Sequence, residues 1–263
     1  SYDFIQRAFL GGVLVSLCAA LLGVSLVLKR YSMIGDGLSH VSFGALSIAI
    51  ACGIAPLKFA IPVVIVAAFL LLRLAENGKM RSDAAIAMVS ASSLAIGVIV
   101  TSLTTGLSTD IYSYMFGSIL AMSKDDVVVS GLLSVIVIIM FVACYHKIFA
   151  VTFDENFSKA TGVKVGMYNT LISIFTAITI VVGIKMMGAM LISSLIVFPS
   201  LTSMRIFKSF KSVTICSAIL SVVNFTIGLI CSYGFSIPAG ASVVVANLIM
   251  YIIFAIVAKV KTM

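Results

Sequence analysis

The sequence predicts an all-α fold, a polytopic helical bundle embedded in a lipid bilayer. Three observations carry that expectation. Hydrophobic residues make up 62% of the chain and charged residues 10%, whereas a soluble domain needs roughly a quarter of its residues charged to cover its surface. The apolar residues fall into nine runs of about the 20 residues that a helix needs to cross a bilayer. The lysines and arginines sit between those runs, with a strong bias to alternate gaps. The same composition excludes a disordered chain. A disulfide scaffold is excluded because Cys18, Cys52, Cys144, Cys216 and Cys231 stand singly in apolar runs, with no C-x-x-C spacing. A transmembrane barrel would show short alternating segments, which are absent. The net charge of +8 therefore reads as membrane topology and not as a nucleic-acid footprint.

Taken in order, the nine runs are 8–28, 37–55, 57–75, 84–104, 126–146, 166–184, 187–204, 212–233 and 239–258. The first precedes Lys29-Arg30 with no small-residue cleavage site, so it is expected to be retained as a span. A tight hairpin at Gly53-Ile54-Ala55-Pro56 separates the second and third. The division between the sixth and seventh, at Ile184-Lys185-Met186-Met187-Gly188, is the weakest. If that stretch is one broken element, the count falls to eight. Pro199 marks a kink in the seventh run and Pro238 the start of the ninth. With the first residue outside and nine spans, thirteen cations face the cytoplasm and only Arg7, Lys58, Lys124 and Lys185 face out. That bias puts the N-terminus outside and the C-terminus inside.

Two stretches between runs are long. Residues 105–125 contain Tyr112, Tyr114 and Phe116 and are expected to form a short interfacial helix on the outer face. Residues 147–165 are cytoplasmic and carry Phe149, Phe153 and Phe157 at fourfold spacing. Two readings fit them: one helical face docking into a groove on a cytoplasmic partner, or aromatics resting on the membrane or on their own bundle.

No soluble catalytic apparatus is legible. The chain lacks a G-x-x-x-x-G-K-[ST] phosphate loop, a G-x-S-x-G elbow and an H-E-x-x-H zinc motif. It has two histidines, His40 and His146, too few for a histidine-rich metal cage. The segment that bears chemistry is Ile34-Gly35-Asp36-Gly37-Leu38-Ser39-His40. Asp36 and His40 are four residues apart and share a helix face. Carboxylate plus imidazole suits zinc, manganese or ferrous iron, and a symmetric dimer would bring two such pairs to one axis. The competing reading makes Asp36 an interfacial charge beside Lys29-Arg30 and His40 a packing residue. Spacing alone leaves both open. His146 reads as a loop-facing histidine, Asp83 or Ser82 as a helix cap, and Met186, Met187 and Met190 as lipid or core filler.

The motifs, in order along nearly the whole chain, resemble a known family. Leu28-Lys29-Arg30-Tyr31-Ser32-Met33-Ile34-Gly35-Asp36-Gly37-Leu38-Ser39-His40 is similar to the hallmark of the zinc/manganese/iron permease subunits of bacterial ABC importers (the ABC-3 family, zinc-uptake-like branch), with Gly37 in the place of the usual Ala. Ser82-Asp83-Ala84-Ala85-Ile86 and Tyr114-Met115-Phe116-Gly117-Ser118-Ile119-Leu120 resemble the start of a later span and an external stretch. Phe153 to Val163 resembles the coupling loop. Met187 to Pro199 resembles the family's G-x-L-L-[IV]-x-x-L-[IL]-x-P element. Ile237-Pro238-Ala239-Gly240-Ala241 resembles its P-[TS]-G-A element, with Ala239 in the Thr/Ser place.

The resemblance implies a type II-like ABC importer permease, one transmembrane domain over 1–263 with a cytoplasmic coupling element at 147–165. It implies a bacterial cytoplasmic-membrane protein and a transport subunit, with ATP hydrolysis on a separate chain. The implied partners are a second permease copy in a homodimer, a cytoplasmic ATPase dimer, an extracytoplasmic metal-binding protein and the lipid bilayer, with no nucleic acid. No cofactor is held permanently; the metal is cargo, with zinc first and manganese or iron next. Asp36 and His40 become expected metal ligands. Phe153, Asp154, Glu155, Phe157, Ala160 and Gly162 become expected contacts to the ATPase. The rival readings are an ABC permease for a larger metal chelate such as a siderophore, which would lack a paired Asp/His, and a secondary ion-coupled transporter, which would show an inverted repeat and several intramembrane carboxylates.

Overall fold

A computed structural model describes residues 2–76, 82–104 and 124–262. Among them the secondary structure is helical throughout: α1 Tyr2–Leu28, α2 Ile34–Ala51, α3 Pro56–Glu76, α4 Ser82–Leu103, α5 Lys124–Ala143, α6 Tyr145–Phe153, α7 Glu155–Ala160, α8 Val165–Met187, α9 Ala189–Met204, α10 Phe210–Phe235 and α11 Ala239–Thr262. The expected outer helix with Tyr112, Tyr114 and Phe116 lies outside the described residues, as do Lys79, Arg81 and the side chains of Ser82 and Asp83.

α1 runs through the middle of the bundle, packed by α5, α8, α9 and α10. Its Leu22 and Leu26 are fully buried together with Ile180 and Ile184 of α8 and Leu191 of α9. α2 is wedged among α3, α4, α8 and α9. A Cβ at Gly44 of α2 would stand 2.7 Å from the Ser93 carbonyl oxygen of α4, so the two backbones approach as closely as small residues permit. α10 and α11 pack on each other and on α9. In α4 and α11 only 17% of the spanning window is buried. Their outward Ile, Val and Leu side chains form apolar faces that water would penalise and lipid does not.

Buried polar groups hold the helices in register. Ser217 of α10 donates to the Pro199 carbonyl of α9 at 3.2 Å, Ser221 to the Ser16 carbonyl of α1 at 2.8 Å, and the amide of Asn224 to that of Asn247 in α11 at 2.7 Å. These are the interhelical bonds expected where the surrounding solvent is hydrocarbon.

Nine of these helices coincide with the nine apolar runs. By length and composition, six described helices can cross a bilayer, seven if α5 and α6 count as one bent span. α9 has 16 residues, about 24 Å at 1.5 Å per residue, short of the ~30 Å hydrocarbon core. The weak division before it is a real joint: Gly188 adopts φ 89° and ψ 159°, a region essentially closed to other residues. Ile184, Met186 and Met187 are buried there, so the break is sheltered by protein. Met190 faces out at 51% exposure. Pro238 stands immediately before α11, and its carbonyl accepts from the Ser242 N–H.

The stretch after residue 146 departs from the expected loop. The chain bends by 71° at Cys144 and continues as α6. The expected single face of Phe149, Phe153 and Phe157 is broken, because Asp154 is extended at φ −147° and ψ 99° and puts Phe157 on a separate helix. Phe149 and Phe153 instead stack on Phe210 at 5.3 and 6.0 Å between ring centres, resting on their own bundle.

Candidate functional site

The first candidate site is the start of α2. Thirteen of its 18 residues are buried, yet Asp36 keeps 51% of its side chain exposed and His40 25%. The enclosed helix therefore opens outward at these two positions in its first turns. Gly35 lies against Ile196 of α9 and Gly37 against Ile86 of α4. Ser39 bonds back to the Gly35 carbonyl at 2.7 Å and meets Ser193 of α9 at 3.1 Å. These contacts fix the rotation of α2 and aim Asp36 and His40 away from the packed core. Asp36 lies in the first turn of α2, where the helix dipole favours a carboxylate by about 0.3–1 kcal/mol.

His40 Nε2 and Asp36 Oδ2 are 3.7 Å apart, too long for a hydrogen bond. Two donors each about 2.1 Å from one tetrahedral ion stand roughly 3.4 Å apart, so a small closure would let the pair share a cation. Among the described residues no group of three or more His, Cys, Asp or Glu side chains is close enough to hold a metal.

Lys29, the residue after the end of α1 and near Asp36 in sequence, is engaged with other residues. Lys29, with 8% of its side chain exposed, donates to Glu155 Oε1 at 2.8 Å and to Asn169 Oδ1 at 2.5 Å. The Asn169 amide also donates to Glu155 Oε1, at 3.1 Å. Glu155 is therefore not a freely solvated loop charge. Desolvation pushes its carboxyl pKa up, but the bonds from Lys29 and Asn169 and the charges of Lys29 and Lys159 outweigh that and hold it below its ordinary value. Sequence reading missed this triad. Its one signal was Asn169, an amide at the mouth of an apolar run.

The second candidate site is α7 itself. Asp154 caps its start, accepting from the Phe157 N–H at 2.9 Å. At its end Gly162 takes φ 81°. The Gly162 N–H bonds to the Lys159 carbonyl and the Val163 N–H to the Ser158 carbonyl, the double closure of a Schellman motif. Of the residues expected to meet an ATPase, Asp154 and Gly162 thus shape the helix and Glu155 is tied inward. Phe153, Phe157 and Ala160 are exposed, Phe157 at 64%. The end of α1 closes in the same way, with Arg30 bonded to Val27 and Tyr31 to Leu26. Here, however, the left-handed position holds Arg30, at φ 62°, a conformation costing roughly 1–2 kcal/mol outside glycine. His146 lies in the bend, its ring 5.5 Å from that of Tyr145, and lines an apolar groove with Leu21, Phe141 and Ile219.

Among the described residues, six or seven apolar helices long enough to span a bilayer, packed as one bundle, define a multi-pass membrane protein. The model of the ABC 3 transport family matches residues 1–258, and the chain belongs to that family. It is 30% identical over 247 residues to the high-affinity zinc uptake system membrane protein ZnuB of Buchnera aphidicola, covering 94% of each chain. It is 26% identical over 252 residues to the manganese import system permease protein ScaB of Streptococcus gordonii, covering 96% of this chain and 90% of the relative. Among solved structures it superposes on PsaBC from Streptococcus pneumoniae in complex with Fab with a TM-score of 0.86 at 26% identity, over 97% of this chain and 91% of the other.

Proposed function

We infer that this chain is the membrane-spanning permease subunit of an ATP-driven divalent metal importer, with Asp36 and His40 as the groups that pass the ion. The observation that carries the reading is the outward-facing Asp36/His40 pair on an otherwise enclosed helix, in a chain of the ABC 3 transport family. A second copy related by a two-fold axis completes the set to four, so the working unit is a homodimer. Zinc is the first candidate cargo and manganese the next, since both accept carboxylate with imidazole and the relatives named above carry one or the other in their names.

A separate ATPase pair docks on the exposed side of α7, where Phe157 and Ala160 are available, with Phe153 exposed at the adjoining end of α6. An extracytoplasmic binding protein delivers the ion from the other side. The end bearing Lys29, α7 and the start of α10 is the cytoplasmic one, which agrees with the cation bias of these loops and puts the protein in the bacterial cytoplasmic membrane.

The test is metal uptake in proteoliposomes with the ATPase and binding protein, comparing wild type with Asp36→Ala and His40→Ala in zinc and in manganese. Uptake is expected to be lost in both variants while the ATPase stays bound, and the metal that wild type moves names the cargo. Wild-type uptake in both variants would return the pair to a packing role.

A further inference from the structure

The triad of Lys29, Glu155 and Asn169 ties two consecutive elements to a third that is distant in sequence. Glu155 opens α7, Asn169 lies near the start of α8, and Lys29 follows the last residue of α1. The ammonium is nearly buried and bonded to both partners, while Asn169 bonds the carboxylate as well, so all three contacts form a closed ring. Lys29 is followed at once by Arg30 in the left-handed conformation. The turn it begins leads within a few residues into α2 and to Asp36. That elbow is itself held by backbone bonds from Arg30 and Tyr31 to α1 and from Ile34 to Tyr31. A displacement of α7 therefore has a short, bonded route to the helix that carries the metal-type donors.

We propose that Lys29, Glu155 and Asn169 are positioning residues, a polar clamp through which α7 drives the α1–α2 elbow and so reorients Asp36 and His40. This rests on the importer reading above and deepens it. The exposed side of α7 receives the motor, and the inward side, through Glu155, delivers the motion. A packed apolar contact would let α7 slide, whereas a three-way charged and amide ring fixes direction as well as distance. Removing one member of a bonded network weakens the coupling it carries while the parts it joins stay folded.

The experiment uses the whole complex in proteoliposomes, with the ATPase and binding protein, and reads ions moved per ATP hydrolysed. Lys29→Met and Glu155→Gln are each expected to keep ATP hydrolysis and lower that ratio by about fivefold or more. The swapped pair Lys29→Glu with Glu155→Lys should regain most of it, because Asn169 can turn its amide and serve either polarity. Single variants with the wild-type ratio would overturn the proposal, and so would a swapped pair no better than the singles. If a single variant fails to retain the ATPase, Asn169→Ala carries the test. It leaves the Lys29–Glu155 contact in place, and an unchanged ratio there overturns the clamp. A wild type that moves none of zinc, manganese and ferrous iron under ATP would sink the importer reading instead. The clamp is then read by hydrogen exchange: the amides of 155–163 exchange faster in Glu155→Gln if it exists, and at the wild-type rate if it does not.

Discussion

The buried amide pair between α10 and α11 offers a sharp test of how this fold is held. Asn224 and Asn247 are 1% and 0% exposed and share one bond of 2.7 Å. The Asn224 amide nitrogen donates to the Asn247 carbonyl oxygen, and the Asn224 carbonyl oxygen and the Asn247 amide nitrogen are without a partner. Leucine has nearly the branched shape of asparagine, so Asn247→Leu removes the partner with little change in volume. It leaves the Asn224 amide N–H without an acceptor, as its carbonyl oxygen already is without a donor, at about 1–3 kcal/mol, or roughly 2–10 °C in Tm for a chain of this size. The bond alone is worth less, about 0.6 kcal/mol on average between membrane helices. The double variant Asn224→Leu/Asn247→Leu leaves nothing stranded and should melt within about 1 kcal/mol of wild type, above either single variant. Thermal unfolding of the detergent-solubilised protein measures all four corners of the cycle. A double variant whose loss equals the sum of the two singles would refute the reasoning, since the cost would then lie in packing and not in orphaned polar atoms.

Other outcomes follow from the same geometry. Gly44→Ala places a methyl 2.7 Å from the Ser93 carbonyl; because backbone cannot yield like a side chain, it should cost about 1–3 kcal/mol, visible as a lower Tm, and an unchanged Tm would contradict the close α2–α4 approach. Phe157→Ala removes an exposed ring, so stability should stay within about 0.5 kcal/mol. Retention of the ATPase subunits in a pull-down titration should nevertheless fall about 30-fold, as at an interface hot spot, and undiminished retention would move the docking surface elsewhere. The Glu155 carboxyl is held below its ordinary 4.5. Its contribution is therefore complete above that value and lost as the pH falls through the lowered one. The Tm gap between wild type and Glu155→Gln should stay constant from about pH 6 to 8 and close only in acid; a gap that changes between pH 6 and 8 would refute the assignment.

The helices were largely legible because hydrocarbon is an unforgiving solvent. Each apolar run had to close its backbone bonds internally, so runs 8–28, 166–184 and 212–233 became α1, α8 and α10 with only small shifts at their ends. The joint at Gly188 was visible because a Lys and a Gly interrupt an apolar stretch. The bend at Cys144 was not, since Ala143-Cys144-Tyr145 carries neither Pro nor Gly, and the turn of direction arises in packing against α1, α8 and α10. Asp36 and His40 could be paired from the helix period alone, but their exposure depends on how α3, α4 and α9 enclose the rest of α2. Lys29 was read as one more topogenic cation. Its pairing with Glu155 joins residues more than a hundred positions apart, and no local pattern encodes a contact of that range.

The six residues of α7 are closed at one end by Asp154 and at the other by Gly162, through bonds that never leave residues 154–163. A segment that completes its own ends is portable. On the docking proposed above, lineages can exchange Asn156, Phe157, Lys159 or Ala160, all outward-facing, to follow a drifting motor protein without disturbing the backbone that presents them. The inward positions are held differently, Glu155 by its bonds to Lys29 and Asn169 and Ser158 by complete burial, and both must change in step with the bundle. Recognition of the motor and response to it can thus diversify at different rates within one short stretch of chain. A chimaera that grafts a relative's outward residues onto this α7 should exchange partners while leaving the permease as stable as before.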